Sequence, residues 1–363
     1  MRPLLLALLA TVPAITPAGA QTVDVSVDSA DRKIVVSARG IHIPAATPYA
    51  HDWKETYLQF SWPASVLVRG YRIDMLDSTG ALLPRKMLHH AGMANLSRRS
   101  LVSPRYERIF AAAQETTPVM LPAKMGIPLV AGQQMSLYYA LVNPSAEAVH
   151  GATLRVTFTL TPASAQGASR TFPVFLGAHA VRSDSITFDA GPGVTTTSSE
   201  FTLPMGGHFR ALGGHLHDFA SEIRLEDVES NRVIVRLRAE KAADGRIRSV
   251  ERTVFPWSRK GLRLEADRRY RIVAVYDNPT CRTLPGAMGL MVGPFVPDAG
   301  AEWPLVDAAD PALARDYMRL TSSVPAEHHH HATETAAAGS DYVGESGVRT
   351  SCAPAIVAQH RNH

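Results

Sequence analysis

Several features that would define a function class are absent from this 363-residue sequence. Beyond residue 20, no apolar run approaches the roughly 20 residues that a membrane-spanning helix needs. The formal net charge is only +4, and no strongly basic stripe crosses Gln21–Asp298. The sequence therefore gives no argument for a transmembrane segment in the mature chain or for nucleic acid as a partner.

Three common catalytic patterns are missing as well. The chain has no elbow motif with Ser-His-Asp logic and no glycine loop of the kind that cradles phosphate. Gly206-Gly207 and Gly191-Pro192-Gly193 are typical of turns. Its two cysteines, Cys281 and Cys352, are far apart in sequence and form no Cys-x-x-Cys pair.

The first 20 residues are typical of a secretory signal. Arg2 precedes an apolar run over Leu4–Leu9, and Ala18-Gly19-Ala20 provides a small-residue cleavage site. We therefore expect residues 1–20 to be removed and the protein to be exported to the periplasm or the extracellular space. A mature chain that starts at Gln21 cannot form a histidine brace, the copper site that requires an N-terminal His.

Export permits Cys281 and Cys352 to form a disulfide. Closing a loop of ~70 residues would stabilise the fold by roughly 4 kcal/mol in the chain-entropy model. Two unpaired thiols are the alternative, and the sequence leaves both open.

Short runs of alternating apolar and polar residues, separated by Gly and Pro, predict an all-β chain of two tandem β-sandwich domains. We assign residues 21–168 to the N-terminal domain and residues 169–300 to the C-terminal domain. One segment, Glu107–Gln114, is instead predicted to be helical. The predicted strands are 22–38 with a turn at Ser29–Asp31, Tyr57–Phe60, Ser65–Met75, Gly132–Val142, Leu154–Leu160, Thr171–Phe175, Ser185–Phe188, Glu200–Pro204, Ile223–Val228, Arg232–Glu240, Val250–Phe255, Arg269–Tyr276 and Met288–Phe295.

Residues 301–363 are predicted to be a low-complexity tail. From Asp307 onward we expect disorder, apart from a helix at Pro311–Arg319. The run His328–His331 in this tail either binds transition metals loosely, without a preformed site, or has no function.

Parts of the first domain recur 135 residues later. Asn143-Pro144-Ser145 matches Asn278-Pro279-Thr280, and Gly151 matches Gly286. A duplication of one topology explains this spacing. Met288 takes the place of Thr153, so sulfur appears at this position in the second domain only.

His215-Leu216-His217 is the first candidate metal site. Side chains two apart on a strand share a face, so both imidazoles can reach one point, and the Met288 thioether on another strand would complete a set that favours Cu(I). With 15 His in 363 residues, chance alone gives roughly 0.6 His-x-His pairs. The alternative is that both rings face solvent and Met288 fills the core.

His89-His90 is the second candidate. Adjacent residues on a regular strand point to opposite faces, so these two rings can share a metal only across a bulge or bend. Otherwise one ring is buried and the other is exposed.

The order of these motifs resembles the copper type II, ascorbate-dependent monooxygenases, the family of peptidylglycine α-hydroxylating monooxygenase and dopamine β-monooxygenase. The resemblance covers roughly residues 50–298 and implies two jelly-roll domains, each with one copper, facing each other across a solvent-filled cleft. It implies that His215, His217 and Met288 hold the oxygen-activating copper and that His89 and His90 hold the electron-delivering one.

Two departures from that family bear on function. The third ligand of the electron-delivering copper is a His on the strand that matches Tyr138–Asn143, which contains none. The residues that hold a peptide carboxylate in amidating members are replaced by Gly213, Leu290 and Val292. Peptide amidation is therefore disfavoured, and Leu290, Met291 and Val292 favour an uncharged or apolar small-molecule substrate.

The resemblance predicts a copper monooxygenase that hydroxylates a substrate C–H bond with O2 and ascorbate or another reductant, using one or two copper ions. His208 and Asp218 are candidate partners that fix an imidazole tautomer. The missing His leaves open a copper-binding or copper-handling protein without turnover, and a metal-free interaction module is the third alternative.

Overall fold

The computed structural model describes residues 21–45, 55–114, 116–162, 167–179, 186–255 and 261–322. The predicted signal peptide (1–20), Cys352 and the His328–His331 run lie outside these residues, so the predictions about them stay predictions. Within the described ranges the regular structure is β-strand apart from one α-helix and a single 3-10 turn, which confirms the all-β sandwich prediction.

The N-terminal half forms two antiparallel-rich sheets that face each other across one hydrophobic core. The first sheet has the order β1-β2-β10-β4-β8-β11 with β7 beside β4, and the second has the order β3-β9-β5-β6. The strands are β1 Thr22–Asp28, β2 Lys33–Ile43, β3 Thr56–Ser61, β4 Val66–Leu76, β5 Leu88–Arg99, β6 Tyr106–Ala112, β7 Val119–Met120, β8 Met125–Leu129, β9 Gln134–Leu141, β10 Val149–Pro162 and β11 Ser169–Arg170.

The C-terminal half repeats this plan around a second core. One sheet has the order β20-β16-β23-β15-β21, with β12 and β13 also paired to β23, and the other has the order β14-β22-β17-β18-β19. The strands are β12 Phe172–Gly177, β13 Thr187–Ala190, β14 Gly193–Phe201, β15 Gly207–Phe209, β16 Ala211–Leu216, β17 Ala220–Asp227, β18 Arg232–Lys241, β19 Ile247–Val250, β20 Arg252–Val254, β21 Leu262–Leu264, β22 Tyr270–Asn278 and β23 Leu284–Pro297.

The duplication is visible in hydrogen bonds as well as in sequence. In the first half, Asn143 donates to the Glu147 carbonyl and accepts from the Ser145 backbone and hydroxyl. Asn278 makes the same set of bonds to Arg282 and Thr280. The strands that follow, β10 and β23, are each 14 residues long and start 135 positions apart, at Val149 and Leu284.

The helix predicted at Glu107–Gln114 is wrong, because this stretch forms β6, paired with β5. The helix propensity of these residues is overridden by strand pairing with β5, because that pairing buries Ile109 and Phe110 in the first core.

The prediction of disorder beyond Asp307 is wrong as far as Ser322, whereas the helix within that segment is confirmed. Helix α1 spans Pro311–Thr321, and the Asp310 side chain caps it by accepting bonds from the first backbone amides. Leu313 and Leu320 pack on the outer face of the β3-β9-β5-β6 sheet. At 11 residues, α1 is too short to cross a bilayer, and it is the only α-helix in the described ranges.

Candidate metal centre

His215 and Met288 lie on neighbouring strands with their side chains on one face. In the β16–β23 register, His215 pairs with Leu290 and Gly213 pairs with Val292. Met288 lies two residues before Leu290 and therefore shares that face. Continuing the register by one pair places His217 opposite Met288, as the predicted set requires.

This face of β23 lines a cavity and does not pack into the second core. Met288, Leu290 and Val292 line the cavity, whereas Ala287 and Met291 point into the core. The expectation that Met291 faces the substrate is therefore wrong, since strand alternation turns it to the opposite side. Met288 is only 2% exposed, yet its side chain is on the cavity side.

His89 and His90 lie at a β-bulge near the start of β5. Leu88 pairs with Leu141 and His90 pairs with Ala140, so His89 is the additional residue in this ladder. The bulge that a shared vicinal site requires is therefore present. Ala140, the residue opposite His90, carries no ligand atom on its side chain, in keeping with the missing third His.

The structure brings both His pairs together. One nitrogen from each of His90, His215 and His217 lies within 4.8 Å of the other two. The ring of His90 is 5.5 Å from that of His215 and 5.7 Å from that of His217, and His89 lies 4.2 Å from His90. The expected pair of sites on opposite sides of a solvent-filled cleft is thus replaced by one cluster. Sequence spacing assigned each ligand to a domain, but the distance between domains depends on how their sheets dock.

The His217 ring is oriented by the backbone near the start of β23. Its Nδ1 lies 2.8 Å from the Gly286 carbonyl oxygen, which can only accept a hydrogen bond. The neutral ring therefore carries its proton on Nδ1, and Nε2 keeps the lone pair that a metal needs. Gly286 has φ of +71°, a conformation that favours glycine.

The structure shows other contacts for the two residues expected to fix an imidazole tautomer. Asp218 accepts a hydrogen bond from the Ile247 backbone amide at 2.9 Å. His208 lies on β15, where it pairs with Arg263 and Val296. The carbonyl of Gly286 is the partner that the structure shows for the His217 ring.

Tyr276 is a site residue that the sequence reasoning missed. Its hydroxyl accepts bonds from the backbone amides of His217 at 3.2 Å and Met288 at 3.0 Å, and it donates to the Met288 carbonyl at 2.6 Å. One buried hydroxyl therefore joins the two segments that carry these ligands. Burial raises the pKa of Tyr276, so the hydroxyl keeps its proton at neutral pH. Nothing in its sequence position distinguished it from a core tyrosine.

The donor set fits a borderline or soft transition metal. Three imidazole nitrogens suit copper or zinc, and a thioether from Met288, which lines the same cavity, would favour Cu(I). The clustered groups found among the described residues include no carboxylate, the ligand that Mg²⁺ and Ca²⁺ prefer. Metal–nitrogen bonds of about 2.0 Å place bound nitrogens roughly 3.3–4 Å apart, which is compatible with three nitrogens that all lie within 4.8 Å of one another.

The His cluster borders a largely apolar cavity between the two domains. The cavity has a volume of about 670 Å³ and is lined by His90, His215 and Met288 together with Leu290, Val292 and Phe110. This volume is typical of small-molecule sites.

No family model matches the chain, and no curated protein matches it. Among solved structures, it is similar to PNGase F, a glycosylasparaginase from Flavobacterium meningosepticum, at 8% identity and a TM-score of 0.35, over 75% of this chain and 98% of that one. It is also similar to Vp54 of PBCV-1, at 9% identity and a TM-score of 0.29, over 78% of this chain and 95% of that one. At these TM-scores the likenesses carry no argument about what the chain does.

Proposed function

We propose that this protein binds copper through His90, His215 and His217, with Met288 as a further ligand, and hydroxylates an uncharged or apolar small molecule. The observation that carries the proposal is the convergence of three imidazoles from two domains at the wall of an apolar cavity. Copper bound there would supply the one-electron chemistry by which O2, with ascorbate or another reductant, oxidises a C–H bond. Export through residues 1–20 is part of the same proposal.

The chain's own residues would assemble and shield the site. Tyr276 fixes the backbones of His217 and Met288 relative to each other, so these two donors move as a unit. His90 comes from the other domain, so the full donor set exists only when the domains are docked. Leu290 and Val292 hold an apolar wall beside the donors, where they would exclude water and orient a hydrocarbon group.

A second candidate function is copper binding without turnover. It is favoured by Ala140 opposite His90 and by the merging of His89 and His90 into the same cluster. Among the residues that the structure describes, both features leave no separate three-His site for an electron-delivering copper.

Copper stoichiometry and O2 uptake separate these functions. The mature chain, with His328–His331 changed to Ser to remove binding by the tail, would be titrated with Cu(I) against a competing chelator, and ascorbate-driven O2 consumption would be measured. We expect tight copper binding and O2 uptake, both lost in His217→Ala and both retained in His208→Ala. Met288→Ala should abolish O2 uptake, whereas His89→Ala should only slow it.

The other outcomes decide against the enzyme. Tight copper binding without O2 uptake supports the copper-binding alternative. Absence of tight binding, or equal wild-type rates in the Met288 and His89 variants, shows that the monooxygenase proposal is wrong.

A further inference from the structure

Tyr138 lies beside His90 on the same face of the β3-β9-β5-β6 sheet. Gly92 follows His90 by two residues on β5, about 6.6 Å further along the same face. Tyr138 pairs directly with Gly92, and its ring lies across the glycine. A Cβ atom at position 92 would be only 2.3 Å from the Tyr138 hydroxyl oxygen, so glycine is what leaves room for this ring.

The Tyr138 hydroxyl is available as a hydrogen-bond donor. Tyr138 lines the same cavity as His90, and no residue of the described ranges makes a hydrogen bond to its hydroxyl. Burial raises the pKa of Tyr138, although the charge of Arg108 lowers it, so the hydroxyl stays protonated at neutral pH.

The charged groups around Tyr138 are already paired with one another. Arg108 makes two hydrogen bonds to the Asp316 carboxylate, at 2.7 and 3.0 Å. Arg319 donates to Glu55 and to the Tyr57 hydroxyl, both at 3.0 Å. These two cations and two anions carry no net charge together, which disfavours an anionic ligand group directly at the Tyr138 hydroxyl.

We propose that Tyr138 is the polar anchor of the cavity and donates a hydrogen bond to a carbonyl, ether or hydroxyl oxygen of an otherwise apolar ligand. The apolar part of the ligand would extend past His90 toward Met288 and Leu290. The inference rests on the proposed function, since it names the substrate class of that site. It makes Tyr138 a residue that determines specificity.

The test compares butyrophenone with butylbenzene, which differ only by a carbonyl in place of a methylene. Binding to the metal-free mature protein would be measured by equilibrium dialysis. We expect the wild type to prefer butyrophenone, and Tyr138→Phe to weaken its binding by about tenfold without changing that of butylbenzene. Tyr139→Phe is the matched control, because that ring points into the first core and its hydroxyl binds Gln21.

Three results would overturn the anchor: no preference for the ketone in the wild type, an equal effect of Tyr138→Phe on both probes, or tighter binding of 4-phenylbutyrate than of butyrophenone. Copper titration of the same proteins keeps the two proposals apart. If the wild type does not bind copper tightly, only the monooxygenase proposal is wrong. If the wild type does not prefer the ketone, only the proposal for Tyr138 is wrong.

Discussion

At the residue scale, the two nitrogens of the His217 ring have different surroundings. Nδ1 is held by the Gly286 carbonyl, and Nε2 is buried. The His-x-His spacing predicted that both imidazoles share a face, because the strand repeat alone decides this. It did not predict the partner of Nδ1, because Gly286 is 69 residues away in sequence.

Glu107 gives a prediction at the same scale. It is fully buried on β6, and it accepts a hydrogen bond from Arg98 Nε at 2.7 Å. Burial raises the pKa of Glu107 from the ordinary 4.5 to about 7, against the opposing charge of Arg98. Because the folded-state pKa is the higher one, the stabilisation is complete below about pH 4.5 and is lost as the pH rises through about 7.

We therefore expect Glu107→Gln to flatten the fall in unfolding free energy between about pH 5 and about pH 8, a fall on the order of 3 kcal/mol in the wild type. Urea unfolding at several pH values measures it. The exposed Glu147→Gln variant should keep the wild-type slope. An unchanged slope in Glu107→Gln would show that another group titrates.

At the element scale, the start of the 14-residue strand of each half is the repeated unit. Gly151 and Gly286 both have positive φ, +69° and +71°, and both lie near the start of a 14-residue strand. Only Gly286 also holds a ring, that of His217. The duplication therefore supplies an internal control for the second copy.

Gly151→Ala and Gly286→Ala should each lower the unfolding free energy by roughly 1–2 kcal/mol, because a Cβ atom is strained in the left-handed region. Only Gly286→Ala should also weaken copper binding, by shifting the carbonyl that orients His217. Thermal unfolding and Cu(I) competition on both variants measure these effects. Equal copper affinities would mean that this carbonyl does not position the ring.

At the scale of the whole molecule, the site depends on how two sandwiches dock. The guanidinium of Arg98 lies over the Phe172 ring, 4.9 Å from its centroid. Trp303 stacks on the same Phe172 ring, with the two ring centroids 4.2 Å apart. Trp303 also donates its indole N–H to the Arg99 carbonyl at 2.8 Å. The segment after the second sandwich thereby returns to the first and holds the interface together.

Trp303→Ala should remove this stacking and the hydrogen bond, and should therefore lower the unfolding free energy by roughly 2–4 kcal/mol. Because His90 and His217 come from different domains, copper affinity should fall as well. In Trp303→Phe, the unfolding free energy and the copper affinity should both be closer to those of the wild type, since the ring stacking on Phe172 is kept. Calorimetry without Cu(I) measures the loss of stability, and calorimetry with Cu(I) measures the loss of copper affinity. If copper raises the Tm of Trp303→Ala as much as that of the wild type, the expected loss of copper affinity is wrong.

The sequence by itself determined which side chains share a strand face, that His89 and His90 need a bulge, and that two halves of one topology follow each other. The first two features follow from the two-residue period of a strand, which involves only neighbouring residues. The third follows from a 135-residue repeat that is visible when the two halves of the sequence are compared. Only the tertiary structure decided that the four rings form one cluster, that Tyr276 and Gly286 position it, and that residues 107–112 of the predicted helix form a strand. These depend on contacts between residues far apart in the chain, whose free energy no local pattern contains.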